Sequence, residues 1–224
     1  MPRTFRLALL SVLLLLTACQ SAYYGAMEKG GISKRELFVK RIEDVRDAQE
    51  DARQQLRATL EQLKYRVNLR GGKPEDALKQ LNRDYDATEK AAGRIHNRIK
   101  AVESVSGALF AEWQDELDRY TNSSLRQQSQ GQLDDTRKRY RAMLASSKKA
   151  EKSFAQVLAT LSDSSLYLKH NLNAQGITAL QYEFTTISND INRLIKELDE
   201  AIATAERFMA EFDRQYLLDR AGTG

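Results

Sequence analysis

A single cysteine, two prolines and two histidines stand among the 224 residues. One cysteine has no partner within the chain, so no intrachain disulfide staples the fold. Two prolines leave long stretches that nothing interrupts, and β-branched and aromatic residues never cluster into strand-like runs. Both readings exclude a β-rich domain. The histidines carry no metal chemistry: His96 lacks a glutamate three positions before it, and His170 sits close to a turn, so neither builds the Glu-x-x-His element of di-iron bundles. No cofactor or metal is expected. The longest apolar run, residues 7–16, falls well short of the roughly 20 residues that a membrane-spanning helix needs.

Charge of one sign is also scarce. The formal value is +4, and without Arg3 and Arg6 it falls to about +2. A near-neutral, well-mixed surface predicts no nucleic-acid partner.

What remains is a helix-rich composition, 29% charged and 42% apolar, dominated by residues of high helix propensity. Residues 1–18 read as a signal peptide, with Arg3 and Arg6 ahead of the apolar residues 7–16. Leu16-Thr17-Ala18-Cys19 looks like a bacterial lipobox. The motif implies that Cys19 accepts lipid and that the chain is cut before it. Several acyl chains, each buried methylene contributing about 0.8 kcal/mol, would make anchoring effectively permanent. Gln20 follows the cysteine where retained lipoproteins carry aspartate, so the expected destination is the outer membrane, facing the periplasm. Residues 19–31 read as a tether with glycines at 25, 30 and 31. Its eleven residues after Gln20 reach at most about 36 to 40 Å. Tyr23 and Tyr24 suit either the headgroup level or the base of the bundle.

From Lys34 onward, apolar positions recur in steps of four and three, the seam of a coiled coil. The first run carries Phe38, Ile42, Val45, Gln49, Ala52, Leu56, Leu60, Leu63 and Val67. Arg70-Gly71-Gly72-Lys73-Pro74 ends it, with glycine suited to a helix C-terminus and proline to the next first turn. A second run extends from Leu78 through Ile95, Ile99, Ser106, Leu109 and Trp113 to Tyr120, and residues 121–131 read as a polar loop. The third carries Leu133, Tyr140, Ser147, Phe154, Leu161, Leu168 and Leu172. After a turn at Asn173-Ala174-Gln175-Gly176, the fourth runs from Leu180 and Phe184 through Ile191 and Leu198 to Phe208 and Phe212.

Short connections between helices of similar length force neighbours antiparallel. The expected fold is all-α: an elongated antiparallel four-helix bundle with heptad packing over residues 32–219, followed by a flexible C-terminus at 220–224. The turns at 70–74 and 171–177 would share the tip remote from the tether. Polar seam residues Gln49, Thr88, Ser106 and Ser147 either set the register or are tolerated small groups.

No catalytic constellation emerges. Gly71-Gly72-Lys73 lacks the strand and spacing of a phosphate loop, Ser146-Ser147-Lys148 lacks the partners of a serine-lysine nucleophile, and no carboxylate pair stands out. The protein is read as a non-enzyme.

Tyr24-Gly25-Ala26-Met27-Glu28-Lys29, then Lys34-Arg35-Glu36-Leu37, Val39 and the stretch from Arg41-Ile42-Glu43-Asp44 to Gln49-Glu50 resemble the N-terminal signature of domain of unknown function 2959. That family consists of predicted bacterial lipoproteins. The likeness is strongest over roughly residues 23–65, and it implies a lipid-anchored envelope protein with no assigned activity. Its concentration beside the tether marks Glu28, Lys29, Lys34 and Arg35 as candidate partner-binding residues. Three roles are therefore weighed. A structural or adaptor protein, joined to the bilayer through acylated Cys19 and to an unknown envelope protein or a second copy of itself, stands first. Second is a binder of lipid or another hydrophobic ligand between the helices, through Trp113, Phe154, Phe184, Phe208 and Phe212. An enzyme stands third.

Overall fold

The computed structural model describes residues 31, 33–68 and 73–221, with side chains over 33–65 and 73–214. Within them lie four helices, α1 (Lys34–Asn68), α2 (Pro74–Leu117), α3 (Ser123–His170) and α4 (Ala174–Ala221). No strand occurs among the described residues, and none of the described helices is long and apolar enough to cross a membrane. At 1.5 Å per residue, helices of 35 to 48 residues extend about 52 to 72 Å.

Local chemistry sets where each helix begins. Ser33 and Glu36 form a reciprocal capping box: the Glu36 carboxylate accepts from the Ser33 backbone N–H at 2.9 Å, and Ser33 Oγ accepts from the Glu36 N–H at 3.2 Å. Pro74 occupies the first turn of α2, with Glu75 and Asp76 placed to complement the helix dipole. Asn122 caps α3, its side-chain oxygen accepting from Ser124 N and Leu125 N. Asn173 does the same for α4, accepting from Gly176 N at 3.0 Å. A β-carbon at Gly176 would lie 1.9 Å from the Asn171 carbonyl oxygen, so only glycine fits this close approach.

Each helix packs along its sequence neighbours, α4 closes against α1, and the diagonal pairs barely meet. Every adjacent pair is antiparallel. Lys34 on α1 reaches Glu112 on α2 while Thr59 reaches Asp84. Trp113 meets Ser129 near the start of α3, whereas Ser165 near its end donates to Asn82 at 2.5 Å. Thr160 on α3 pairs with Asp190 on α4, and Arg139 with Glu211. The α1–α2 and α3–α4 connections therefore share one end, and α1 begins at the other, as the heptad reading expects.

The seams form the core. Phe38, Ile42, Ala52, Leu56, Ile95, Ile99, Leu133, Phe154, Leu161, Ile191, Leu194 and Leu198 are buried. Two expectations require correction. The polar stretch 123–131 is the first turns of α3 rather than a loop, because Asn122 caps it and its buried Ser129 accepts the Trp113 indole N–H at 2.9 Å. Tyr120 and Leu172 are not seam residues: α2 stops at Leu117 and α3 at His170, leaving them 43% and 44% exposed. At the C-terminus α4 includes residues 220 and 221, within the segment read as flexible.

The four polar seam residues diverge. Thr88 Oγ1 donates to the Asp84 carbonyl at 2.7 Å, and the Ser106 and Tyr140 hydroxyls bond at 2.7 Å. Ser147 lies 3.9 Å from the Met143 sulfur. Gln49 is fully buried, and neither its amide nitrogen nor its oxygen meets a protein partner.

Candidate functional site

Two ends of the bundle differ in chemistry. At the end where α1 begins, Phe38 is ringed edge-on by Phe110, Tyr140, Phe208 and Phe212, with centroids 5.6 to 5.8 Å away. Such edge-to-face pairs each contribute about 0.5 to 1.5 kcal/mol beyond burial. Burial pushes the Tyr140 phenol above its ordinary value, and the bond from Ser106 partly offsets that. Phe208 and Phe212, considered above for ligand contact, are thus packed on neighbouring rings. Phe154 is fully buried in the core, Phe184 packs half-buried against it, and Trp113 is buried with its N–H bonded to Ser129.

The lipidation candidate Cys19 and the partner-binding candidates Glu28 and Lys29 lie outside the described residues. Lys34 and Arg35 have intramolecular tasks. Lys34 Nζ meets Glu112 Oε1 at 3.2 Å, with its side chain only 15% exposed, and the Arg35 guanidinium covers the Trp113 ring at 4.7 Å. Both tie the start of α1 to the end of α2.

The helix faces between the ends carry interhelical ion pairs. Arg53 bridges Glu50 at 2.6 Å and Asp199 at 2.5 Å, which raises the guanidinium's proton affinity, Asp199 contributing most. Lys148 pairs with Glu103, and His96 Nδ1 meets Glu151 Oε1 at 2.6 Å. No group of three metal-ligating side chains occurs among the described residues.

At the far end, an open groove of about 540 Å³ lies between α3 and α4. Its walls are Thr160, Asp163, Ser164 and Tyr167 on α3, and Ala179, Tyr182, Glu183 and Thr186 on α4. Half-buried Leu180 adds apolar surface, and buried Leu168 and Gly176 line it where the chain re-enters the helix. Tyr182 is 80% and Tyr167 50% exposed. Large apolar side chains rarely gather on open surface without a task.

The polar groups of this groove fall into two kinds. Thr160 Oγ1 is bonded to Asp190 at 2.7 Å, and Ser164 Oγ to the Thr160 carbonyl at 2.8 Å. Asp163 and Glu183, one on each wall, face solvent, and neither is ion-paired among the described residues. None of these four residues was singled out by the seam analysis. The one hint in the sequence is a pair of neighbours, Tyr167 and Tyr182, aromatics standing off the heptad next to and two residues beyond the seam leucines 168 and 180.

A family described as "Protein of unknown function (DUF2959)" has a sequence model that matches residues 23–212. No curated protein and no solved structure matches the chain.

Proposed function

The chain belongs to the DUF2959 family, which assigns no activity, and from that premise we propose that it is a non-enzymatic adaptor tethered to the bacterial cell envelope. Cys19 carries the lipid after removal of residues 1–18. Gln20 directs the protein to the outer membrane, where it faces the periplasm. A bundle anchored at the start of α1 carries the α3–α4 groove about 50 Å away, given 1.5 Å per helical residue.

The observation that carries this reading is the pair of exposed rings, Tyr167 and Tyr182, on the walls of one partly apolar groove at the end opposite Lys34. Aromatic residues on an exposed apolar surface are the usual anchors of protein contacts. Lys34 and Arg35 then hold the base of the bundle together, and Glu28 and Lys29 remain as the partner-binding candidates beside the tether.

Two experiments test it. Mass spectrometry of the N-terminal peptide from bacterial membranes should find acylated Cys19, and Cys19→Ser should release the protein from the membrane; an unmodified cysteine overturns the anchor. Photocrosslinking in intact cells, with the reactive residue at Gln181 or at Lys29, should give a discrete protein band. Silence at both positions overturns the adaptor, and a lipid adduct alone would assign a hydrophobic ligand instead. A band at twice the chain's mass would identify the partner as a second copy.

A further inference from the structure

We propose that the α3–α4 groove docks a basic amphipathic helix presented by another envelope protein, an inference that rests on the adaptor reading and names its partner's chemistry. The open groove between these antiparallel helices offers a trough for a third helix, whose apolar face is read at i, i+3 or i+4 spacing. Half-buried Leu180 and Ala179 supply the apolar surface beside the tyrosine rings, with buried Leu168 behind them. Asp163 stands on one wall and Glu183 on the other, so cationic side chains flanking the apolar stripe find a carboxylate on either side. No lysine or arginine lines the groove.

Arginine fits better than lysine. The exposed rings of Tyr167 and Tyr182 border the same surface as the two carboxylates. A guanidinium can stack on a tyrosine face while its N–H groups reach a carboxylate in a bidentate pair. An acidic helix would meet like charge on both walls, and a purely apolar one would leave the two carboxylates without counter-ions. Of the neighbouring hydroxyls, Thr160 is committed to Asp190 and Ser164 to the helix backbone, and Thr186 is a neutral group that does not discriminate charge. Recognition therefore falls to Asp163, Glu183 and the two tyrosines.

The test uses the full chain in phosphatidylcholine nanodiscs. It is titrated with a labelled 20-residue helical peptide of leucine, alanine and arginine, with empty discs as the blank. The expected result is saturable binding that weakens about tenfold in D163N/E183Q and again in Y167A/Y182A, as two exposed ion pairs and cation–π contacts would give. The same peptide should bind D115N/E116Q, which removes two carboxylates at the opposite end, as tightly as wild type. The same peptide with glutamate in place of arginine should not bind. Equal affinity for wild type and D163N/E183Q, equal binding of the glutamate peptide, or no binding at all overturns the proposal. So does displacement of the peptide by an N-acetylglucosamine tetramer, which would assign the tyrosines to a saccharide. In cells, a crosslink from Gln181 that survives D163N/E183Q refutes the basic helix yet leaves the adaptor standing. Loss of every crosslink in the wild type refutes the adaptor itself.

Discussion

The guanidinium of Arg35 lies 4.7 Å from the centre of the Trp113 ring, and the same indole donates its N–H to Ser129 Oγ at 2.9 Å. Three helices thus meet on one side chain. Ser129→Ala leaves a buried N–H without an acceptor and should lower stability by about 1 to 3 kcal/mol. In a Trp113→Phe background the same change should cost far less, because no donor remains. Urea unfolding of the two single variants and the double variant measures the coupling.

Gln49 offers the opposite sign. Its buried amide meets no protein partner, so Gln49→Leu exchanges an unsatisfied polar group for an apolar one of similar volume. Thermal unfolding should show a gain of about 1 to 3 kcal/mol. If size-exclusion light scattering found the leucine variant in a different oligomeric state, Gln49 would be a register or assembly device.

Phe38→Ala should cost about 3 to 5 kcal/mol, since it removes the ring on which four others converge. Tyr120→Ala should fall within about 0.5 kcal/mol of wild type. Equal losses for the two would contradict the burial that separates them.

Gly176→Ala drives a methyl group into the Asn171 backbone. A loss of about 1 to 3 kcal/mol is expected, because the obstacle is a carbonyl and not the end of a flexible side chain. Since Gly176 lines the groove, NMR shifts should move at Tyr167 and Tyr182 and leave Phe38 unchanged.

The Ser33 backbone N–H, then its side chain, hold the Glu36 carboxyl below its ordinary value of 4.5. A carboxylate depressed on folding contributes stability that is complete above the unfolded value and lost as pH falls through the folded one. The NMR titration of Glu36 should therefore have its midpoint below 4.5. Ser33→Ala should move that midpoint upward only partway, because the stronger backbone bond survives. Acid unfolding of Glu36→Gln should lack this contribution.

Heptad spacing made the bundle legible because burial between helices repeats every three or four residues, and the core positions from Phe38 to Phe212 follow it. It misplaced the start of α3 because the polarity of residues 123–131 reads as a loop. Asn122 and the distant Trp113, whose pairing with Ser129 is visible only once α2 and α3 are side by side, make that segment helical. The Ser-x-x-Glu pattern at residues 33–36 carries the capping box in the sequence, but the heptad reading passed over it. The groove was not legible. Asp163 and Glu183 are twenty residues apart in sequence and share a cleft only because α3 and α4 fold back at Asn173.

Along its axis the bundle changes character. One end is locked by five interpenetrating rings, whereas the other substitutes Thr59, Gln62, Gln80 and Asp84, joined by hydrogen bonds, and half-buried Leu60, Leu78, Leu180 and Phe184. Amide exchange should accordingly run as a gradient, slowest around Phe38 and fastest beside Tyr182. Fraying would begin at the groove. A ligand held there clamps the weakest turns of the rod, so occupancy at the tip would be felt as altered lifetime of the whole molecule.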